Sequence, residues 1–122
     1  MRRVMVFGTF DGLHEGHQYF LREARKLGDL LIAVVARDET VQELKRKNPK
    51  HLLHERIEAI RNVALADEVI PGDAMQESWD ALRKYEPAVI ALGYDQNALY
   101  SALSAALPKF SFRTEIRRIA RM

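Results

Sequence analysis

The 122-residue chain contains no cysteine. That removes disulfides, thiolate zinc sites, iron–sulfur clusters and a cysteine nucleophile. Long apolar runs are also missing. The longest, Leu30–Ala36, is seven residues, against the roughly twenty that a membrane span needs. Met1–Phe10 holds two arginines and no extended apolar stretch, so no signal peptide is expected and the cytoplasm is the expected compartment. Charge of one sign is scarcely in excess. Nineteen Lys and Arg against 17 Asp and Glu leave +2, which is no argument for nucleic acid or a membrane as partner. The few aromatics, 8% of the chain, are not interleaved with basic residues as a base-stacking surface requires. What remains is 48% apolar and 30% charged, the balance of a globular protein, and the length predicts one domain over residues 1–122.

The patterning predicts alternating strands and helices. Val4–Phe7 is apolar on both faces, as in a buried parallel strand. From about Gly16 the period changes. Phe20, Leu21, Ala24 and Leu27 share one face and charged residues the other, which predicts a helix closed by Gly28. Leu30–Val35 is a second buried strand, followed by a helix over Glu39–Lys47 that Asn48-Pro49 ends. Further helices are predicted over His54–Ala64, Gln76–Tyr85 and Ala98–Leu107, and strands over Glu68–Ile70, Ala88–Leu92 and Phe110–Ile119. Trp79 and Tyr85 are expected in the core. This order predicts an α/β fold: a Rossmann-like, doubly wound parallel sheet of about five strands with helices on both faces. Ligands of such sheets bind beyond the carboxyl ends of the strands, where the strand order reverses. That directs attention to Gly8–His17, Ala36–Thr40, Pro71–Asp73 and Gly93–Gln96.

The stretch from Gly8 to His17 carries the chemistry. His14 and His17 lie three apart at the start of the first helix, with Gly16 before the second. Free N–H groups and the helix dipole favour anions there. Two imidazoles add donors for phosphate oxygens, and Gly16 permits close approach to the backbone. A lone histidine here would simply cap the helix. No third ligand accompanies the pair, so no protein-held metal is expected. Asp38 is a candidate N-cap for the helix it precedes.

Thr9-Phe10-Asp11 and His14-Glu15-Gly16-His17 resemble the T-x-D and H-x-G-H signatures of the nucleotidylyltransferase superfamily. With Gly8 they look like its cytidylyltransferase-like branch, and Glu55-Arg56 and Ala66–Val69 fit that branch. Val35–Val41 and Leu92-Gly93-Tyr94-Asp95-Gln96 resemble the archaeal-type FAD synthases in particular. Cytidylyltransferases such as those acting on glycerol 3-phosphate close with R-T-E-G-I-S-T-T. Here Arg113-Thr114-Glu115-Ile116-Arg117-Arg118 begins alike and lacks the glycine and the I-S-T-T, as the FAD synthases do.

The resemblance implies transfer of a nucleoside monophosphate from a triphosphate to a phosphorylated acceptor, with loss of pyrophosphate. ATP is favoured over CTP, and FMN is the favoured acceptor. Cytidylyl transfer to glycerol 3-phosphate is the alternative, and a catalytically silent nucleotide-binding module is the alternative of another class. His14 and His17 would contact the α- and β-phosphates, and Lys45 or Lys47 would neutralise phosphate charge. Gly8, Thr9, Phe10, Gly16, Gly93 and Asp95 would complete the nucleotide site, and Asp11 and Arg56 would serve the acceptor. Mg²⁺ would arrive with the nucleotide, keeping most of its waters. A homodimer through the region around the helices after strand two is implied. Each assignment has a plainer counterpart: local N–H partners for Asp11, an exposed helix position for Arg56, a helix cap for Asp95 and a solvated face for Lys45-Arg46-Lys47. Arg113, Thr114, Arg117 and Arg118 are candidates for a substitute phosphate grip, with a basic tail strand the favoured reading. His51 and His54 receive no role.

Overall fold

Successive strand residues point to opposite sides of a sheet, and here both sides are apolar. The computed structural model describes residues 1–75 and 77–122. Strands β1 (Arg3–Gly8), β2 (Leu30–Val35), β3 (Glu68–Pro71), β4 (Val89–Gly93) and β5 (Glu115–Ile119) form one sheet in the order β3-β2-β1-β4-β5. Every pairing is parallel. Val4, Val6, Leu31, Ala33, Val35, Val89 and Ala91 face helices α1 (Glu15–Arg25) and α3 (Leu53–Val63). Met5, Ile32, Val34, Ile90 and Leu92 face α4 (Asp80–Tyr85) and α5 (Asn97–Ala106). Helix α2 (Asp38–Lys45) follows β2 and buries Val41. The expected doubly wound architecture is present. The order reverses between β1 and β4, which places the switch point at Gly8 and Gly93.

Several boundaries differ from the sequence reading, each for a local reason. Helix α2 begins at Asp38 and stops at Lys45, because Arg46 turns into the left-handed region at φ 56°. Asp38 is its first residue and not its cap. The cap is Arg37, without a side-chain bond, while the Asp38 carboxylate serves Arg56 and the Leu53 N–H. Of the helix expected over Gln76–Tyr85, Gln76 lies outside the described residues. Glu77 and Trp79 have φ of 59° and 58°, so the helix starts only at Asp80. Both oxygens of Asp73 accept from the N–H groups of Asp80 and Ala81 there. Trp79 therefore precedes the helix, yet it and Tyr85 pack against the core as expected. The last strand is shorter than expected. A 3₁₀ turn at Leu107–Lys109 follows α5, and the stacked rings of Phe110 and Phe112 pack on the core before β5 begins.

Arg56 is the one buried charged residue among the described residues, at 1% exposure. Its Nε donates to the His51 carbonyl at 2.9 Å. Nη1 donates to the carbonyls of Thr9 at 2.9 Å and Ala36 at 2.7 Å. Nη2 reaches Asp38 at 2.6 Å. The expected acceptor-phosphate role is corrected here. The guanidinium is sealed inside the protein, where it joins the loops after β1 and β2 to the start of α3. Replacing it leaves buried acceptors without donors, which is costlier than losing an exposed ion pair. We expect Arg56→Leu to destabilise the fold by about 2–4 kcal/mol in urea denaturation. A loss under about 1 kcal/mol would remove its structural role.

Candidate functional site

A cleft of about 1040 Å³ opens over the carboxyl ends of β1 and β4. The β1–α1 loop forms one wall, with Gly8, Thr9, Phe10, Asp11, His14, Gly16 and His17. Gly93 and Asp95 line the other wall, and Lys45 reaches in from the end of α2. Of the expected site residues, Lys47 is exposed and stands outside the cleft lining, and Arg56 lies behind it.

His14 caps α1. Its Nδ1 accepts from the N–H of Gly16 at 3.0 Å and of His17 at 3.4 Å. In return the His14 N–H donates to Nδ1 of His17 at 3.4 Å, closing a capping box built from two histidines. With both Nδ1 atoms accepting, each neutral ring carries its proton on Nε2. The rings stack with centroids 3.8 Å apart. The two rings are thus held side by side in the lining of the cleft. The N–H groups of Gly16 and His17 are not free for an anion, as the sequence reading assumed, because the His14 ring takes them. The same ring occupies the space at Gly16: a Cβ there would lie 2.9 Å from His14 Cε1.

Phe10 adopts φ 53°, unusual for a non-glycine residue, and its ring is buried against Gly8. That conformation turns the chain toward α1 and sets the ring edge-on to His17, centroids 5.5 Å apart. Phe10 therefore offers the cleft chiefly backbone. The carboxylate of Asp11, also in this wall, is taken by residues outside the lining. One oxygen accepts from the Lys50 N–H at 2.7 Å, the other from the N–H and Nδ1 of His51 at 3.0 and 2.9 Å. Burial pushes the Asp11 carboxyl up, but these donors outweigh it and hold the group below the usual carboxylate range. His51, given no role by its sequence context, is thereby a partner of the first loop.

The sequence reading missed the C-terminal residues. None of Arg113, Thr114, Arg117 and Arg118 lines the cleft, whereas Ala120, Arg121 and Met122 do. Thr114 donates its hydroxyl to the Pro87 carbonyl, and Arg118 bonds the Tyr94 carbonyl and Asn97. Arg121 stands over the Tyr94 ring at 5.6 Å. Among the described residues no group of three or more His, Asp or Glu assembles as a metal site. No helix among them is long and apolar enough to cross a membrane.

Residues 5–119 match the family model for cytidylyltransferase-like proteins. Joined to the parallel sheet and the switch-point cleft, that match makes the protein a nucleotidyltransferase. The chain belongs to the cytidylyltransferase-like family. It is 41% identical over 117 residues to an FAD synthase of Thermococcus sibiricus, covering 96% of this chain and 79% of that one. It is 43% identical over 125 residues to an FAD synthase of Korarchaeum cryptofilum, covering 98% and 82%. A crystal structure of a lipopolysaccharide core biosynthesis protein from Thermoplasma volcanium superposes with a TM-score of 0.91 at 35% identity, covering 100% of this chain and 98% of that one. A pantoate–beta-alanine ligase from Francisella tularensis shares the fold alone, at TM-score 0.69 and 13% identity over 98% of this chain and 59% of that one.

His17 has its pKa lowered from the ordinary 6.5. Partial burial is the main cause, then the neighbouring His14, with Lys45 adding to it; the Gly12 carbonyl and Asp95 oppose the shift. The unfolded chain takes up this proton near pH 6.5 and the folded protein resists it, so the unfolded state binds more protons as pH falls. Stability is therefore full above about pH 6.5 and declines below it until the folded pKa is passed. We expect the His17 ring signals in an NMR titration to show a midpoint below 6.5, and His17→Gln to flatten the decline. A midpoint above 6.5 would contradict the half-buried, neutral ring.

Proposed function

We propose that the protein transfers the adenylyl group of ATP to FMN, forming FAD and pyrophosphate. An oxygen of the FMN phosphate bonds to the α-phosphorus as the bond from that phosphorus to the pyrophosphate oxygen breaks. The reaction needs no protein nucleophile, which suits a chain without cysteine. The observation that carries the reading is the stacked His14–His17 pair at the switch point. Its two Nε2–H donors suit the α- and β-phosphate oxygens, where charge builds during transfer. Lys45, within reach of the same cleft, suits the remaining phosphate charge. Gly93 and Asp95 at the end of β4 suit the nucleoside. Asp11 supports the acceptor side only through the loop it holds. A divalent cation accompanies the nucleotide in this family; we take it to be Mg²⁺, held by phosphate oxygens and water, since no described cluster offers a resident site. The cytoplasm is the expected compartment.

The choice of ATP and FMN rests on the FAD synthase relatives and on the C-terminal segment without I-S-T-T. Pyrophosphate release with ATP or CTP, each paired with FMN or glycerol 3-phosphate, tests it. Turnover with ATP and FMN is expected; turnover only with CTP and glycerol 3-phosphate would replace the proposal. In the active pairing His14→Ala and His17→Ala should each lower the rate by about 10²–10³. Unchanged rates in both variants would overturn the site assignment.

A homodimer is the expected assembly. Leu44 on α2 is 67% exposed and Leu52 before α3 is 54% exposed, which supports a contact through this region. Light scattering should give twice the 14.0 kDa chain mass, and Leu44→Glu should shift it toward one chain; a monomeric native protein would refute the assembly.

A further inference from the structure

The sheet is weakest where the cleft opens. Strands β1 and β2 register through six pairs and β4 and β5 through five, but β1 and β4 through only two, Val4 with Val89 and Met5 with Ile90. Both strands run on beyond those pairs, to Gly8 and Gly93. The partly buried side chain of Gln96 spans the gap between them. Its Oε1 accepts from the Gly93 N–H at 2.8 Å, and its Nε2 donates to the Phe7 carbonyl at 2.8 Å. A single side-chain amide thus stands in for the missing rung, with both its donor and its acceptor used across the two strands. The Gln96 N–H also donates to the Gly93 carbonyl, at 3.2 Å, which fixes the turn that carries the side chain.

We propose that Gln96 is a positioning residue that sets the width of the nucleotide cleft. It ties the wall carrying Gly8, Thr9 and the histidine pair to the wall carrying Gly93 and Asp95. This rests on the reading of that cleft as a nucleoside triphosphate site. Only an amide does the work. Methionine has the length and neither hydrogen bond. Glutamate keeps the bond from the Gly93 N–H, but when ionised it turns an oxygen toward the Phe7 carbonyl. Protonated, it regains a donor for that carbonyl.

The test uses the full chain with Gln96→Met and Gln96→Glu, with ATP and Mg²⁺ as the probe. Both variants should fold, as seen by circular dichroism, because the helices and both cores are untouched. ATP should bind about tenfold more weakly to Gln96→Met, the effect of about two ordinary hydrogen bonds lost from the prepared site. Its KM for ATP should rise while that for the acceptor holds within about twofold. In Gln96→Glu the deficit relative to wild type should shrink as pH falls toward about 5, when the carboxyl takes up its proton. Amide hydrogen exchange supplies a readout that needs no ligand: protection of the Gly93 N–H should fall in Gln96→Met and survive in Gln96→Glu. Wild-type affinity for ATP in both variants, or unaltered Gly93 protection in Gln96→Met, would overturn the proposal. If the native protein binds neither ATP nor CTP, the functional reading fails, and with it the nucleotide part of this proposal, while the exchange data decide whether Gln96 bridges the strands.

Discussion

The site depends on one buried cation. Arg56 contributes four hydrogen bonds, and three of the acceptors are backbone carbonyls belonging to different loops. Loop carbonyls at the ends of parallel strands have no ladder partner, and burying them bare is costly. A guanidinium supplies a rigid fork of five donors from one residue. Placed on α3, it satisfies Thr9, Ala36 and His51 together and lets the ionised Asp38 balance its charge. No buried side-chain nitrogen or oxygen is left without a partner among the described residues. The shape of the β1–α1 loop, and hence the histidine positions, is set from behind by a residue buried beneath the cleft.

The histidines divide their labour between the two ring nitrogens. Nδ1 of His14 ends the backbone of α1, and the Nδ1 of His17 answers the His14 N–H. Capping and proton placement are therefore one arrangement, since the cap decides which nitrogen keeps the proton. The close stack and partial burial make a second charge on the pair unfavourable, which is why His17 resists protonation.

The architecture was legible because the central strands β1, β2 and β4 are short, apolar on both faces and followed by a helix or turn signal. Leu30–Val35 reads as it folds, to the residue. The switch point followed from topology, and the histidine motif follows β1 directly. Failures came where long-range contacts overrule local pattern. Asp38 looks like a cap from its neighbours, but a guanidinium 18 residues away claims its carboxylate. Arg56 looks exposed on a helix whose polar face is full of charge, and nothing local shows that three loop carbonyls converge on it. Gln76–Tyr85 has helical spacing, but the left-handed turns at Glu77 and Trp79 are invisible to periodicity.

The C-terminal segment shows the limit of local pattern, which leaves its arginines as a basic tail strand and does not show which residues reach the cleft. Arg113, Arg117 and Arg118 lie along β5 and before it, outside the cleft lining. In a parallel sheet every strand points its carboxyl end at the same edge. β5 lies beside β4 and ends at Ile119, so Ile119 and the three residues after it reach the cleft. Arg118 still matters to the site, because its bonds to the Tyr94 carbonyl and Asn97 brace the turn that carries Asp95 and Gln96. Arg121, stacked on Tyr94, then brings a guanidinium to the cleft from a position where local sequence offers no motif at all. Topology, and not composition, decides which of the terminal arginines supports the wall and which one lines it.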